Sequence, residues 1–340
     1  MLAPGFRIAG LWFLAVSLYA GLLPAQSTPS SSAFLLRGGT VHTISGPIIE
    51  HGSVLVRDGK IIGVGKGLTA PDGVQIIDIT GQHVYPGMID SAAAANPTSE
   101  QLQAARANGV TSVMEMPHIN FARPHEHDDD EELPKRAYEK EKRQLSRYFN
   151  DARKNKDTTP LVVIAVRERE IREAIALADK HKLQIILADT YEAYKVLPLI
   201  KSHNIPVILG PTLSLPLNED DPYDRSYTTP GDLYNAGIKF SIATFSAWSM
   251  RNLPYQAAAA VPFGLPQDQA YRAVSLSAAE ILGISKRLGS IDEGKTADLI
   301  VTDGDPLEAT THVNLVFIDG KSVSLETRQK QLYEKYQKLP

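Results

Sequence analysis

Three histidines and a run of acidic residues lie close together near the middle of the chain. His118, His125 and His127 precede five consecutive acids at positions 128–132. Imidazole and carboxylate groups are ligands that divalent cations accept, so His125 and His127 are weak candidate metal ligands and His118 a candidate ligand-binding residue. Five successive acids are also typical of a solvated loop whose charges repel one another. We favour the solvated loop, because a catalytic metal needs ligands that are held rigidly by surrounding groups.

Four other polar residues stand at the ends of apolar runs that resemble buried strands: Glu115, Arg167, Asp189 and Thr244. If these strands are parallel, their carboxyl ends meet at one face. There Glu115 and Asp189 could act as an acid/base pair, while Arg167 and Thr244 could bind a ligand. The alternative, which we favour, is an internal network of ion pairs and hydrogen bonds without chemistry.

Composition and motifs exclude several classes of function. The 340 residues contain no cysteine, which excludes disulfides, thiolate catalysis and cysteine-ligated metal sites. A net charge of −4, from 35 Lys and Arg against 39 Asp and Glu, gives no sign of nucleic-acid binding. The sequence holds no Walker A loop, GxGxxG turn, GxSxG elbow or HExxH helix.

The elements that must position these residues are short apolar runs that alternate with helical patterns. Such alternation predicts an α/β fold with a parallel sheet or barrel, over residues 84–288. A TIM barrel has eight strands, and no strand pattern occurs in 118–157. We therefore expect a shortened TIM-like (β/α) barrel that lacks two strands. The six strand-like runs are 84–90, 112–117, 160–166, 183–189, 205–210 and 238–244.

Both flanks of this region are rich in strands and turns. Residues 34–83 and 289–325 are predicted to form one small composite β-sandwich, and 326–340 a helical tail. Asp58-Gly59 stands between two alternating apolar runs, which is a strong hairpin signal.

In this composite unit, Val301 and Phe317 are expected to pack against Leu35, Val54 and Ile62, because all five lie in apolar runs of its strands.

The first residues have the features of an export signal. Arg7 precedes an apolar run at 8–23, and the small residue Ala25 follows. We expect residues 1–25 to be a signal peptide and 26–33 a Ser/Pro linker. An uncleaved membrane anchor is the alternative. If the signal is removed, the mature protein is exported, periplasmic or secreted, and has no membrane segment.

The sequence frame resembles a known family at both ends. GGTVHT, VLVRDGKIIGVG and IIDITGQHVYPGMID near the start, and SAAEILGISKRLGSIDEGKTADLIVTDGDP near the end, resemble the amidohydrolase superfamily. With NLPYQAAAAV, the resemblance is greatest to its imidazolonepropionase-like branch. It implies a barrel that holds one or two divalent metals such as zinc, which activate water to hydrolyse amide or cyclic amide C–N bonds.

The metal ligands that this resemblance implies are missing. Family members follow the PGMID-like motif with two histidines, but Ala92 and Ala94 stand here. Phe245 occupies the position of the catalytic aspartate. Neither a methyl group nor a phenyl ring can ligate a metal, so we expect no cofactor.

The sequence therefore predicts a non-catalytic relative that binds a small ligand or a partner, such as an intact amidohydrolase subunit. The alternative is a hydrolase of C–N bonds with a remodelled site, which would use Asp189, Glu115 or the loop containing His125 and His127.

Overall fold

The computed structural model describes residues 33–94, 96–116 and 160–337, with Ala94 and Met116 described by backbone alone. This part of the chain contains fourteen strands: β1 (Ala33–Val41), β2 (Ile49–Arg57), β3 (Lys60–Lys66), β4 (Gln75–Asp78), β5 (His83–Pro86), β6 (Met88–Ala94), β7 (Val110–Met116), β8 (Leu161–Ile164), β9 (Ile185–Ala188), β10 (Val207–Leu209), β11 (Phe240–Ile242), β12 (Leu299–Thr302), β13 (Val313–Ile318) and β14 (Lys321–Ser322). The α-helices of the same residues are α1 (Ser99–Ala107), α2 (Glu168–His181), α3 (Leu197–Ser202), α4 (Arg225–Asn235), α5 (Leu253–Ala259), α6 (Gln267–Ala273), α7 (Leu276–Ile281) and α8 (Arg328–Tyr336).

The two ends of the chain meet in one eight-stranded mixed sheet. Its order is β14-β13-β12-β5-β1-β2-β3, and β4 pairs in parallel with β1. The predicted turn at Asp58-Gly59 joins β2 to β3, and both residues have positive φ. Strands from both ends thus share one sheet, while the two-layer sandwich and the domain boundaries stay predictions.

The core of this sheet corrects part of the predicted packing. Val54, Val301 and Phe317 belong to one buried cluster, and the Phe317 ring stacks on Phe34 at 4.5 Å between centroids. The expectation for Ile62 is wrong, because Ile62 is 40% exposed.

The physical reason is the alternation of side chains along a strand. Ile61, one residue earlier in β3, is fully buried in this cluster and takes the inward position. Leu35 is buried, but it lies outside the cluster that contains its neighbours Phe34 and Leu36.

Each of the six predicted strand-like runs overlaps a strand of a parallel sheet. Strands β6 and β7 form one pair, and β8 to β11 form a four-stranded sheet in the order β11-β10-β9-β8. A backbone hydrogen bond of 2.8 Å from Phe245 N–H to Ala92 O joins the two sheets at their carboxyl ends. This arrangement is compatible with a TIM-like fold. The predicted loss of two strands falls on residues outside the described ranges.

Gly87 divides the first of these runs between the two parts of the fold. Strand β5 before it pairs with β1 and β12, whereas β6 after it pairs with β7. A Cβ at Gly87 would lie 2.1 Å from the Thr111 Oγ1, so only glycine fits at this crossing point. Periodicity alone could not show that VYPGMID belongs to two sheets.

Among the described residues, no helix has the length and apolar character that a membrane span requires.

Candidate functional site

A buried carboxylate in β6 contacts the residues that follow β11. Asp90 has no exposed surface, and its Oδ2 accepts a hydrogen bond of 2.5 Å from the Thr244 hydroxyl. Its Oδ1 accepts bonds from the backbone N–H groups of Thr244, at 3.1 Å, and Ala92, at 3.3 Å. One side chain therefore connects β6 to the end of β11, between residues that are 154 positions apart in the sequence.

Burial raises the pKa of Asp90 to about 6, and the hydrogen bonds from Thr244 and Ala92 offset part of that rise. A carboxyl group with this pKa has a proton affinity suited to acid/base chemistry near neutral pH. Because Asp90 is fully enclosed, however, it cannot reach a substrate from the solvent face. Its geometry indicates a structural role at the junction of the two sheets.

Apolar groups fill the space next to this junction. Ala92 is fully buried and belongs to a cluster with Ala188 and Ala243, against which Phe245 packs. The Phe245 backbone is left-handed, with φ of 50°, a conformation that costs a bulky residue free energy. A backbone bond to Ala92 holds it there.

These residues do not fit the metal that the resemblance implies. Ala92 and Phe245 offer methyl and phenyl groups, which have no lone pair for a metal. In the ranges 33–94, 96–116 and 160–337, no three His, Cys, Asp or Glu side chains lie together in a way that could hold a metal ion. The side chain of Ala94 is not described, and His118, His125 and His127 lie outside the described residues.

The predicted acid/base pair lies on two different sheets. Glu115, on β7, accepts a 3.4 Å hydrogen bond from the backbone N–H of Asn96. Asp189 follows β9 with a left-handed backbone, φ 55°. The Asp189 carboxylate packs against Gly210, directly after β10. If Gly210 had a side chain, its Cβ would lie only 2.4 Å from the Asp189 Oδ1.

The predicted ligand-binding residues have other roles in the structure. The Thr244 hydroxyl is committed to Asp90. Arg167 is exposed at the start of α2, where its backbone N–H donates to Glu170 at 3.1 Å.

Glu192, which is not one of the four residues of the predicted network, forms an ion pair and a backbone hydrogen bond after β9. Its Oε1 accepts from Lys195 at 2.7 Å, and its Oε2 accepts from the backbone N–H of Glu168 at 2.7 Å. Burial opposes ionisation of Glu192, but these bonds and the positive charges of Lys195 and Arg167 hold its pKa below the ordinary value. Glu192 thus connects the segment after β9 to the start of α2.

A second polar group fixes the loop between β10 and α4. The Asn218 amide donates to Asp221 at 2.9 Å, and the Tyr194 hydroxyl donates to Asp221 at 3.4 Å. The Arg225 guanidinium lies 4.1 Å from the centre of the Tyr194 ring and pairs with Asp232. Each of these side chains contacts another member of the group, which is the pattern of a structural network.

Sequence reasoning missed the most enclosed polar residue of the site. Asp90 is the last residue of the PGMID motif, and a carboxylate in a buried strand must find hydrogen-bond donors. That signal was available in the sequence, whereas its partner Thr244 was not identifiable from spacing. Glu192 and Lys195 carried no such signal, because an acidic and a basic residue three positions apart are typical of exposed helices.

Comparisons with known proteins agree with this architecture. Residues 224–323 match the model of the Amidohydrolase family. Over 94 residues, the chain is 37% identical to a dihydroorotase of Citrifermentans bemidjiense, a match that covers 25% of this chain and 22% of the relative. A match to the amidohydrolase tasK of Hapsidospora irregularis is 29% identical over 132 residues and covers 35% of this chain and 14% of the relative. The chain thus spans less than a quarter of the length of these curated relatives.

Most of the fold resembles that of an amidohydrolase from Thermotoga maritima. The crystal structure of that protein has a TM-score of 0.69 to this one at 23% identity, and the match covers 86% of this chain and 99% of the other. The chain therefore has the fold of the amidohydrolase superfamily, and its C-terminal part carries the family's sequence pattern. The resemblance is confirmed at this level, while the imidazolonepropionase-like branch stays a prediction.

Proposed function

We propose that this chain is a non-catalytic binding protein built on the amidohydrolase fold. The observation that carries the proposal is the apolar packing at the carboxyl ends of β6, β9 and β11. Ala92, Ala188 and Ala243 are completely buried there, and Phe245 packs against them. A metal-activated water needs ligands and an open coordination position, and this packing supplies neither.

Two loops at the same end of the parallel strands support binding of a protein partner rather than a small ligand. Leu213 and Leu215, after β10, are 48% and 87% exposed, and Trp248, after β11, is 67% exposed. Exposed large apolar side chains are typical of protein interaction sites, and Trp is enriched among residues that dominate binding energy.

The structure holds the first of these loops firmly. The Gln256 side chain on α5 accepts hydrogen bonds from the backbone N–H of Leu213, at 2.8 Å, and from the Thr212 hydroxyl, at 3.0 Å. A loop that is already ordered loses little conformational entropy on binding. The partner we propose is an intact amidohydrolase subunit, because a protein that kept the fold can retain an assembly surface without the chemistry.

A hydrolase of amide or cyclic amide C–N bonds is the second candidate. The observation that favours it is the half-buried Asp189 carboxylate at the carboxyl end of β9, whose left-handed backbone is of a kind that often occurs at functional sites. The names of the matched relatives, amidohydrolase and dihydroorotase, are compatible with this activity.

Metal content and activity separate the two candidates. We expect protein purified without chelator to contain far less than one transition metal per chain, and hydrolysis of an amide and cyclic amide panel to equal the buffer blank. Activity that is lost in Asp189→Asn but retained in the exposed-residue control Asp72→Asn would establish the hydrolase. One zinc, manganese or iron per chain would also contradict the non-catalytic assignment.

Binding to an intact amidohydrolase encoded by the same genome tests the partner directly. We expect a complex in light scattering that the Leu215→Ser and Trp248→Ser double variant loses. Ile48→Ser is the matched control, since Ile48 is 56% exposed but lies between β1 and β2. No complex, or equal loss in the control, would refute this surface.

Export is a further part of the proposal and rests on Arg7, the apolar run at 8–23 and Ala25. N-terminal sequencing of the purified protein tests it, and we expect a start close after Ala25. Retention of residues 1–25 would indicate an uncleaved anchor.

A further inference from the structure

Helix α8 lies outside the packed body of the protein. All nine of its residues are exposed, and none belongs to a buried cluster. Thr327 caps its first turn by accepting a 3.2 Å hydrogen bond from the Lys330 N–H, and Arg328 pairs with Glu100 of α1 at 3.3 Å. Preceding residues Val323 and Leu325 pack against the core, so the helix is anchored at one end only.

The apolar residues of α8 lie in one sector, on one side of the helix, with Gln329 between Tyr336 and Tyr333. Leu332 and Tyr336 are four residues apart and Tyr333 and Tyr336 three apart, so they are neighbours on the helix surface. Leu332 is 38% exposed, Tyr336 is 57% exposed and Tyr333 is 64% exposed. An isolated helix of this length has little stability in water. Burial of its apolar side chains against another surface would therefore stabilise the helix.

Basic residues flank this sector on both sides. At 3.6 residues per turn, Arg328 and Lys335 lie beside Leu332, and Lys330 lies beside Tyr333. Glu334, the sole acidic residue of α8, projects from the opposite side of the helix. The stretch 326–340 contains four basic and two acidic residues, a local charge of +2 in a chain whose net charge is −4. The positive charge is therefore concentrated beside the apolar sector.

We propose that α8 docks on an anionic phospholipid surface. Tyrosine suits the membrane interface because its ring is apolar and its hydroxyl is polar. Lysine and arginine place their methylene stems along apolar surface while their charges reach lipid phosphates. Flanking charges on both sides of the sector let the helix lie flat, with its apolar side chains at the boundary between headgroups and acyl chains.

The same charges argue against α8 as a contact between two copies of this chain. Two α8 helices packed face to face would bring Lys330, Lys335 and Arg328 of both copies together, and like charges in such contacts are unfavourable. This inference adds a surface contact to a mature protein that is expected to have no membrane segment. It is independent of the proposed function, because it uses no residue of the barrel.

Vesicle sedimentation with the full chain tests the proposal. We expect binding to vesicles of phosphatidylcholine mixed with phosphatidylglycerol, much weaker binding to phosphatidylcholine alone, and a loss when salt is raised. Lys330→Glu with Lys335→Glu should weaken binding by about tenfold or more, since each basic residue near an anionic surface contributes about 1 kcal/mol. Tyr333→Ser with Tyr336→Ser should weaken it too.

The matched control is Lys66→Glu with Lys180→Glu, a reversal of two exposed lysines on β3 and α2. We expect this control to bind vesicles almost as the unchanged chain does. Because every residue of α8 is exposed, all variants should unfold at nearly the same temperature. Binding that is equal in every variant would overturn the proposal and assign any lipid contact to another part of the chain. Variants that change only the oligomeric state would overturn it in favour of a protein contact.

Discussion

Replacement of Asp90 by asparagine should change how the stability of the protein depends on pH. In the folded state, burial raises the pKa of Asp90 from an ordinary 3.8 to about 6. Between these two values the folded state binds more protons than the unfolded state does. The free energy of unfolding therefore falls as pH rises through this interval and is constant above it.

The magnitude follows from the size of the shift. A difference of about 2 pKa units corresponds to about 3 kcal/mol at 1.36 kcal/mol per unit. Most of this, about 2–3 kcal/mol, is lost between pH 4 and pH 8 because the unfolded pKa lies close to 4. An asparagine side chain does not titrate, so the contribution of the variant residue is the same at both pH values.

The substitution keeps a partner for each hydrogen-bonding group that now contacts Asp90, and it adds one amide N–H. The side-chain oxygen of the introduced asparagine can accept from the two backbone N–H groups, and its amide can donate to the Thr244 hydroxyl. That hydroxyl can then donate to the Ser246 carbonyl, which is already 3.1 Å away. We therefore expect Asp90→Asn to fold. Relative to the unchanged chain, the stability of the variant should be greater at pH 8 than at pH 4.

Urea unfolding followed by circular dichroism, at intervals from pH 4 to pH 8, measures this effect. The quantity of interest is the difference in free energy of unfolding between Asp90→Asn and the unchanged chain, in which other titrating groups cancel. We expect this difference to rise by about 2–3 kcal/mol over the range. Asp72→Asn, on the surface, is the control and should give a flat difference. A flat difference for Asp90→Asn as well would refute the enclosed carboxyl at the junction of β6 and β11.

Three further substitutions test other parts of the fold. Gly87→Ala places a methyl group against Thr111 and should lower the free energy of unfolding by about 1–3 kcal/mol in the same assay. Phe317→Ala removes the ring stacked on Phe34 and should cost about 3–5 kcal/mol, so an effect below about 1 kcal/mol would contradict the packing of the two chain ends. Burial and the charge of the His83 imidazole lower the pKa of His42 from 6.5 to about 4. The folded state therefore favours neutral His42, and the stability that this provides is present above pH 6.5 and lost as pH falls toward 4. His42→Gln should reduce that loss, as measured by unfolding at pH 4.5 and pH 7.5.

Local sequence patterns predicted the parallel strands of the described residues and the resemblance to the amidohydrolase superfamily. The turn at Asp58-Gly59 was identifiable because its backbone requires positive φ, which glycine adopts without strain. The parallel strands were identifiable because a strand covered on both faces is a short apolar run. The absence of histidine at positions 92 and 94 is likewise a fact of the sequence alone.

The candidate site was less predictable, since its contacts join distant residues. Glu115, Arg167 and Asp189 were expected to share one face, and the structure gives them different surroundings on separate elements. Which carboxylate is enclosed and which is exposed depends on the neighbouring strand, and spacing along the chain carries no information about that neighbour.

What the sequence by itself determined is local: where strands and helices form, which turns need glycine, and which side chains can or cannot ligate a metal. Backbone conformation and donor chemistry belong to single residues and their immediate neighbours, so they can be read without the fold. Only the tertiary structure decided that Gly87 separates two sheets, that Ile61 rather than Ile62 faces the core, and that Asp90 meets Thr244. These outcomes follow from close packing between segments far apart in the chain, where a shift of one residue exchanges the buried and the exposed side of a strand.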